Sequence, residues 1–599
     1  MTQATIPDVA VDGGAALPRR RRTWRWVLIV LAVVVVAGAW LAFRAIQIER
    51  NLQAARTALM SAETALKSGD PVSGAIVADA ASHTRTARDA ASDPLWSAMA
   101  RIPFVGRPFK TTAGIAEIGD RITHDSLPKM LTVSAQLQQL KSADALHALP
   151  LATMRVAGQA LGTVDSQLQN DVYALQHLPV SSAISPLKDA RDKLLAQLSD
   201  VSAQVHTAAV ATTVGVPMLG ADGPRRYFVA FENPAESRPD MGLLGGYAEL
   251  IARNGRLHVA KLGSNSDLPA IRAATGSNAP IIPAGMQKFG VGSNWLASNL
   301  SPDFGTDAGV MAAAYSASTG RTVDGVIALD PVAMGAILQQ TGRSVTVPGA
   351  GTVAGADLPA FLESGQYSLA LDETQRKEML ANVGRQTLDS LLAAHVQTLD
   401  LARTLASLAG TGNLRLASLH GTEQGALEQF PIAGALPTTS RPFVGAYVAN
   451  AAATKLDYYL DESLDVRTTS CTSAGVDASV TVTLTNSVPA HGVSDFALRG
   501  NVAASRALTP GYNSVLLSLA LSPGAHITGA TLNGRPLTWS LQTVDRGNHP
   551  VSIVALNLPP RKATKVALHV SLPGTHGPVL LATQPLPRAP KQSTTGNCA

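Results

Sequence analysis

The chain has 599 residues, which is too long for one ordinary hydrophobic core and predicts several domains. Apolar residues make up 46% and charged residues 15%, so the composition excludes a disordered chain and a uniformly membrane-embedded one. Aromatic residues make up only 4%, which suits long alanine-rich helices better than a protein that stacks on sugars or nucleobases.

An arginine-rich arm precedes an apolar stretch at the N-terminus. Arg19–Arg22 and Arg25 stand against Asp8 and Asp12, so the arm supplies +3 of the formal net charge of +5. The sequence pI of 9.2 therefore reflects this arm, and the rest of the chain shows no basic stripe of the kind that binds nucleic acid. We expect no nucleic-acid partner.

Residues 24–45 are predicted to form a transmembrane helix. The segment from Trp26 to Phe43 carries no charge, and a helix of this length just spans a hydrocarbon core of roughly 30 Å. By the positive-inside rule, residues 1–23 form a cytoplasmic arm, the helix contacts the lipid bilayer, and the chain beyond it is extracytoplasmic. A cleaved signal peptide is the alternative, because the segment GAWLAFRA weakly resembles a cleavage site.

The chain has two cysteines, Cys471 and Cys598, and both lie in the part that is predicted to be exported. A disulfide between them would suit an oxidising compartment and would tie the polar C-terminal segment to the last domain. Two unpaired thiols are the alternative.

Residues 46–212 are predicted to form a helical stalk or bundle. Leu52, Leu59 and Leu66 keep a heptad spacing directly after the membrane segment, and similar spacings return later in the region. Segments that contain Pro and Gly divide the region into separate helices at Ser68–Pro71, Arg101–Phe109 and Leu178–Pro186. A stack of surface helices on the next domain is the alternative.

Residues 213–455 are predicted to form a central α/β domain with three layers. The apolar segments YAELIAR and RLHVAKL flank Asn254–Gly255, and an Asn-Gly pair in this position indicates a β-hairpin. The strand-like segment VDGVIAL lies between two helical patterns, and alternating strands and helices are typical of α/β domains. The helices are predicted at Thr306–Thr319, Val332–Thr341, Ala356–Leu362 and Thr374–Gly410.

Residues 456–582 are rich in short alternating strands separated by Gly, Pro and Asn turns. Strands at this spacing predict an all-β sandwich of immunoglobulin-like type. Residues 583–599 are predicted to be a flexible tail unless the disulfide holds them. The expected fold class is therefore multidomain α+β, with a transmembrane helix, a helical region, an α/β domain and a β-sandwich.

The sequence contains none of the phosphate-loop, His-Glu-x-x-His, Cys-x-x-Cys or Gly-x-Ser-x-Gly motifs that identify common chemistries. Polar residues instead collect near predicted strand ends. Arg226, Arg238, Asp240 and Asp267 are candidates for binding phosphate or another ligand, because arginine binds phosphate bidentately and carboxylates bind Mg²⁺. The alternative is that such residues cap turns and helices, and Asp303 is well placed to begin the helix that follows it.

Several blocks of the sequence carry a family resemblance. They are RRYFVAFENPAESRPDMGLLGGYAEL, NLSPDFGTDAGVMAAAYSASTGRTVDGVIALDPVAMGAILQQTG, ATKLDYYL and the earlier DPLWSAMARIPFVGRPF. They resemble domain of unknown function 4012, a family of single-pass envelope proteins common in actinobacteria and other Gram-positive lineages. The resemblance covers roughly residues 90–465 and implies a location in the cell envelope, but it implies no particular activity.

A more distant similarity is to the LytR-CpsA-Psr phosphotransferases, which move lipid-linked glycopolymers onto peptidoglycan. Their Arg-Ser-Asp-Thr strand start is similar to Arg238–Met241, so the similarity implies that Arg238 and Asp240 serve phosphate and metal, with Mg²⁺ as cofactor. Where those enzymes carry Ser-Ile-Pro-Arg-Asp, this chain has GSNSDLP. Asp267 matches the acid there, and the arginine before it is missing.

Two functional hypotheses follow from these patterns. The first is a membrane-anchored extracytoplasmic protein of the Gram-positive cell envelope that binds or helps to assemble envelope glycopolymers. The second is a Mg²⁺-dependent phosphotransferase that acts on polyprenyl-pyrophosphate-linked glycans. The second predicts that the four candidate residues converge on one groove, whereas the first predicts that they are dispersed among turns and ion pairs.

Overall fold

The computed structural model describes residues 20–68, 72–140, 149–179, 185–272, 279–393, 398–500, 509–575, 577–596 and 598. The chain forms two compact units, which are described separately. The first comprises Met1–Ala135 and Gln159–Ala209, and the second comprises Gln136–Gly158 and Val210–Ala599. The predicted arm at residues 1–23 lies largely outside the described residues.

The described chain is helical up to residue 218, which agrees with the helical region that the heptad spacing predicts. The helices are α1 (Arg20–Ser68), α2 (Gly74–Ala91), α3 (Pro94–Ala100), α4 (Arg107–Arg121), α5 (Leu127–Leu140), α6 (Leu151–Gln176) and α7 (Ser185–Met218). The Arg101–Phe109 segment separates α3 from α4, as predicted. A π-helical turn, Ile122–Ser126, joins α4 to α5.

Helix α1 contains a segment, Leu28–Ala62, that is long and apolar enough to cross a membrane. Most large apolar side chains between Leu28 and Phe43 are exposed, and Val36 reaches 69%. Farther along the helix, Arg44 donates to Asp93 at 3.2 Å and Asn51 lies 2.8 Å from His83, so this part packs against other helices. The continuous run of exposed apolar residues from Leu28 to Val36 lies within the predicted segment 24–45.

Small side chains dominate the core of the first unit. Ala87, Ala90 and Ala91 of α2 pack against Ile48 of α1 and Trp96 of α3. Alanine lets neighbouring helices approach closely, which explains why an alanine-rich and aromatic-poor sequence can still bury a core here.

A mixed five-stranded sheet forms the centre of the second unit. In chain order the elements are β1 (Arg225–Ser237), β2 (Gly242–Arg253), β3 (Arg256–Ser264), α8 (Phe304–Thr319), β4 (Gly325–Leu329), α9 (Pro331–Gln340), β5 (Ser344–Val347), β6 (Gly351–Ala354), α10 (Leu358–Glu363), α11 (Glu373–Leu392), α12 (Thr398–Thr411), β7 (Leu414–Ser418) and α13 (Gly421–Leu427). The strand order is β3-β2-β1-β4-β7, in which β1 and β4 are parallel and the other neighbours antiparallel. Strands β5 and β6 form a separate hairpin.

The predicted hairpin and the strand in VDGVIAL are confirmed. Strands β2 and β3 meet at Asn254 and Gly255, whose φ angles of 50° and 76° are those that a tight two-residue hairpin turn requires. The prediction of one continuous helix over Thr374–Gly410 is wrong, because α11 ends at Leu392 and α12 begins at Thr398. Residues 394–397 lie outside the described chain.

Both faces of the central sheet are covered. Phe228 and Tyr247 point to one face, where they pack with Tyr315 of α8. Val229 and Ala248 point to the other face, where they pack with residues of α9, α10 and α11. Because adjacent residues of a strand point to opposite faces, the nearly continuous apolar sequence of β1 matches a strand that is buried on both sides.

The C-terminal part of the second unit contains two sheets that share one core. Its elements are β8 (Phe443–Asn450), β9 (Leu460–Thr472), β10 (Gly475–Asn486), α14 (Asp495–Arg499), β11 (Asn513–Leu521), β12 (His526–Leu532), β13 (Arg535–Pro536), β14 (Leu541–Asp545), β15 (His549–Leu558), β16 (Ala563–Pro573), β17 (Leu580–Thr583) and β18 (Lys591–Thr595). The sheets have the orders β13-β12-β16-β10-β9-β18 and β14-β15-β11-β8-β17. Inward-facing apolar residues of both sheets form a single cluster.

The structure corrects one predicted boundary and meets the condition attached to another prediction. The β-rich part begins at Phe443 and not at residue 456, because β8 is an entirely buried strand whose apolar run shows no alternation. The predicted disulfide between Cys471 and Cys598 is present, so the stated exception to a flexible tail applies, and β18 pairs with β9, the strand that carries Cys471. The described elements together establish a mixed α+β fold with a helical N-terminal region.

Candidate functional site

The connection from β1 to β2, Arg238–Met241, is buried together with charged side chains around it. The pairing of the two strands shifts register on both sides of Asn233, which makes room for the turn. A Cβ at Gly242 would lie 2.3 Å from the carbonyl carbon of Asn233, so this close approach requires glycine. Charged groups enclosed in this way need partners inside the protein.

Main-chain carbonyl groups bind the guanidinium of Arg238. Its Nε and Nη2 donate to the carbonyl of Leu296 at 3.1 and 2.8 Å, and its Nη1 donates to the carbonyls of Ser237 and Asn450 at 2.9 and 2.8 Å. Burial lowers the pKa of Arg238, and nearby carboxylates oppose this effect. Four of its five N–H groups therefore already donate hydrogen bonds, and the side chain connects the three chain segments that carry these carbonyls.

Three buried carboxyl groups lie near Arg238. Burial raises the pKa of Asp240 to about 6, and Arg415, whose Nε donates to Oδ1 of Asp240 at 3.2 Å, opposes the rise. Burial first, and then the charge of Asp240, raises the pKa values of Glu232 and Asp307 well above the ordinary range. Each of the three carboxyl groups has one oxygen without a hydrogen-bond partner among the described residues. Burial therefore favours the protonated, uncharged forms of all three side chains.

The four predicted ligand residues occupy three separate places. Arg238 and Asp240 share the buried turn, whereas Arg226 lies at the start of β1 and contacts Glu249. Twelve residues of extended chain separate Arg226 from Arg238, on the order of 30–40 Å, so one pyrophosphate cannot bind both. Asp267 caps the short turn after β3 by accepting from the backbone N–H of Ser264 at 2.7 Å.

Glu249 is a charged residue that the sequence patterns did not single out. It lies in β2, is only 1% exposed, and accepts from Arg226, from Arg321 at 3.2 Å and from the hydroxyl of Tyr315 at 2.6 Å. The one indication of Glu249 in the sequence was that it is a single acidic residue within the apolar segment YAELIAR. In a strand covered on both faces, such an acid must be satisfied by partners from elsewhere in the fold.

Other polar residues of the same turn join the central sheet to the C-terminal sheets. Asp457 accepts from the backbone N–H and hydroxyl of Ser237 at 2.9 and 2.7 Å, and from Asn450 and Asn513 at 2.9 and 2.6 Å. Asp303 caps α8 as predicted, through the N–H of Thr306 at 3.1 Å. The polar residues around the β1–β2 turn are therefore largely used as a joint between two parts of one unit.

The described residues contain no group of three or more His, Cys, Asp or Glu side chains that is spaced to hold a metal ion. The nearest opposite charges to the buried carboxyl groups near Arg238 are the guanidinium groups of Arg238 and Arg415.

A second polar site lies where α10 approaches the start of the C-terminal sheets. It is a cleft of 340 Å³, here named the tyrosine cleft. No motif indicated a site here, although Lys455, Tyr458 and Tyr459 belong to the family block ATKLDYYL. The wall of the cleft includes Glu363, Ser364, Tyr367, Lys455, Tyr458 and Tyr459. The cleft brings together residues that are nearly 100 positions apart in the sequence, which explains why a search for local motifs missed it.

The described structure defines a mixed α+β protein with a helical N-terminal region and one helix that is long and apolar enough to cross a membrane. Residues 222–367 match the family model described as Protein of unknown function (DUF4012). This match confirms the family resemblance over these residues, and the blocks DPLWSAMARIPFVGRPF and ATKLDYYL lie outside it. No curated protein matches the chain.

Proposed function

We propose that the protein is anchored by α1 in the cytoplasmic membrane of a Gram-positive cell and exposes the chain beyond it to the cell envelope. Two independent features support this orientation. The arginine-rich arm precedes α1, and arginine is retained on the cytoplasmic side. The bonded pair Cys471–Cys598 lies far beyond the helix, and disulfides persist outside the cytoplasm.

The extracytoplasmic part binds envelope glycopolymers or helps to assemble them. One observation favours binding over catalysis. The N–H groups of Arg238 already donate hydrogen bonds to the carbonyls of Ser237, Leu296 and Asn450. A phosphate-binding arginine needs free N–H groups that point at its ligand. The C-terminal sheets, which we interpret as an immunoglobulin-like sandwich, and the three-layer central domain then serve as a binding scaffold.

Glycopolymer binding is tested with full-length protein in detergent and with isolated cell walls. We expect the protein to sediment with walls that carry their glycopolymers and to stay in solution with walls from which the glycopolymers have been chemically removed. Equal sedimentation with both preparations, or with neither, contradicts the proposed function.

The second candidate is a Mg²⁺-dependent glycopolymer phosphotransferase of the LytR-CpsA-Psr type that acts on polyprenyl-pyrophosphate-linked substrates. The observation that favours it is the set of buried carboxyl groups with unpartnered oxygens at Glu232, Asp240 and Asp307. The protein is incubated with a polyprenyl-pyrophosphate-linked glycan and Mg²⁺. We expect no release of polyprenyl phosphate, whereas release that is lost in Asp240→Asn, a variant that keeps the shape of the side chain, would favour the transferase.

A further inference from the structure

The tyrosine cleft gathers aromatic residues in a chain that has few of them. Tyr367, Tyr458 and Tyr459 are three of only nine tyrosines in the protein, and all three line this cleft. The rings of Tyr458 and Tyr459 are perpendicular, with centroids 5.1 Å apart. A low average aromatic content therefore does not exclude a stacking site, because the fold concentrates what aromatic surface there is.

Among the described residues that line the cleft, the cation Lys455 is already paired with a carboxylate. The ammonium group of Lys455 is paired with Oε1 of Glu236 at 2.5 Å, and it lies 5.4 Å above the ring of Phe496. Both partners of this ion pair are buried. Phosphate and carboxylate ligands, which require an available cation, are thus disfavoured.

Glu363 is the unsatisfied group of the cleft. It is only 5% exposed, and its Oε1 has no hydrogen-bond partner among the described residues. A buried oxygen of this kind needs a donor, and its desolvation is costly when none is present. Burial, followed by the charge of Asp330, raises the pKa of Glu363 to about 8.

Size and chemistry together define the ligand class. A volume of 340 Å³ is at the lower end of the roughly 300–1,000 Å³ range of small-molecule sites. The wall combines tyrosine rings with the hydroxyl-bearing residues Ser364, Ser368 and Ser494 and the acceptor on Glu363. Such a wall suits a compact ligand with apolar C–H faces and several hydroxyl groups.

We propose that the tyrosine cleft is a binding site for an uncharged saccharide unit, which stacks against Tyr458 and Tyr459 and donates a hydroxyl to Glu363. This inference rests on the proposed function, since it assigns the glycopolymer contact to one site. The site lies between the domain matched by the family model and the C-terminal sheets, so a bound sugar contacts both.

Binding is measured by titration calorimetry with full-length protein in detergent. The probes are the uncharged trimer of N-acetylglucosamine, an uncharged mannose trimer and an oligomer of glycerol phosphate. We expect at least one uncharged trimer to bind, the phosphate oligomer not to bind, and Tyr459→Ala to weaken binding about tenfold. Tyr173→Ala, at a tyrosine that is 64% exposed in the helical region, is the matched control and leaves binding unchanged.

A pH series tests the contact with Glu363. A hydroxyl that donates to the carboxylate favours its ionised form, so binding lowers the pKa of Glu363, releases a proton and tightens as pH rises from about 6 towards 8. The other titratable groups that face Glu363 or the cleft are Asp330, Tyr367, Lys455, Tyr458 and Tyr459. Glu363→Gln is expected to bind with an affinity that does not change over this range.

The outcomes separate this inference from the proposed function. Absence of binding to both uncharged trimers overturns the saccharide site. A binding affinity that changes neither with Tyr459→Ala nor with pH overturns it as well. If the same variants still sediment with glycopolymer-bearing walls, the proposed function stands and its contact lies elsewhere. If the trimers bind through the cleft but the protein does not sediment with cell walls, the saccharide site stands and the proposed function fails.

Discussion

Arg238 and Asp457 together explain the polar sequence of the β1–β2 turn. Arg238 ties the turn to the carbonyls of Leu296 and Asn450, and Asp457 ties Ser237 to the C-terminal sheets. Lys455 adds an ion pair to Glu236. Arg238, Asp457 and Lys455 belong to the blocks that carry the family resemblance. These charged residues of the blocks therefore connect the central sheet to the C-terminal sheets.

We predict that Arg238→Ala destabilises the protein by about 3–5 kcal/mol, because it removes a buried cation that interacts with the carboxyl groups of Glu236 and Glu232 and leaves carbonyls unpaired. The measurement is the free energy of unfolding in urea. Arg256→Ala, at an exposed position of β3, is the control and is expected to change stability by less than about 0.5 kcal/mol. A stable Arg238→Ala variant would show that the guanidinium is not structural.

Glu462 carries a prediction about pH. It faces the core of the C-terminal sheets, is 3% exposed, and neither carboxyl oxygen has a hydrogen-bond partner among the described residues. Burial raises its pKa from 4.5 to about 8. The unfolded chain loses this proton near pH 4.5 while the folded protein keeps it, so the contribution of Glu462 to stability falls as pH rises from about 4.5 to 8.

Glu462→Met should therefore stabilise the protein at pH 8 and have little effect at pH 5. We expect a gain of roughly 2–4 kcal/mol at pH 8, since an apolar side chain of similar volume replaces an unsatisfied acid. Scanning calorimetry at the two pH values measures the difference. Asp465→Asn, on the exposed side of the same strand, is the control, and a gain that is equal at both pH values would refute the explanation.

At the scale of elements, the last strand depends on two kinds of connection. Strand β18 pairs with β9 over Lys591–Thr595, and the disulfide between Cys471 and Cys598 lies just beyond this pairing. All five residues of β18 are exposed, so little apolar burial holds the strand in place. Backbone hydrogen bonds and one covalent link are then the main reasons why the C-terminal segment is ordered.

We predict that replacing both cysteines with serine lowers the free energy of unfolding by about 2–5 kcal/mol, because the bond closes a loop between positions 127 residues apart. Hydrogen exchange should then become fast in β18 while it stays slow in β10, whose alternate residues are buried. Ser470→Ala with Ser473→Ala, on either side of Cys471, is the control. Continued protection of β18 in the double cysteine variant would show that strand pairing alone is sufficient.

For the whole molecule, the proposed topology makes the position of α1 decide which compartment each part occupies. Exposed apolar side chains of α1 lie between Leu28 and Phe43, and the arginine-rich arm comes directly before them. The disulfide and residues 222–367, which match the family model, both follow α1 in the sequence. In the proposed topology, this one helix therefore determines the environment in which the rest of the chain folds.

We predict that alkaline phosphatase fused after the last residue is active in the parent protein, because the proposed topology places the C-terminus outside the cytoplasm. Replacing Arg19–Arg22 and Arg25 with glutamine should reduce this activity several-fold, because the charge bias that orients the helix is lost. Replacing Asp8 and Asp12 with asparagine is the control and should have little effect, since acidic residues contribute little to the bias. N-terminal sequencing of the mature protein tests the signal-peptide alternative, which requires a start close to residue 45.

Several features could be predicted from local sequence because local physics decides them. The apolar length of α1, the Asn254–Gly255 turn and the Asp303 cap each depend on residues that are close together in the chain. Strand β8 could not be recognised by alternation, because it is buried along its whole length and its sequence carries no period of two.

The sequence by itself predicted the long apolar helix, the helical region, the main strands and the family resemblance of residues 222–367. Only the tertiary structure decided what the charged residues do. Arg226 and Arg238 both look like phosphate ligands in the sequence, yet they lie at opposite ends of one strand and have different partners. Glu363 belongs to no motif and Tyr459 only to the family block ATKLDYYL, yet both line one cleft. Local conformation depends on neighbours in the chain, whereas the role of a charge depends on desolvation and on partners that only the complete fold brings within reach.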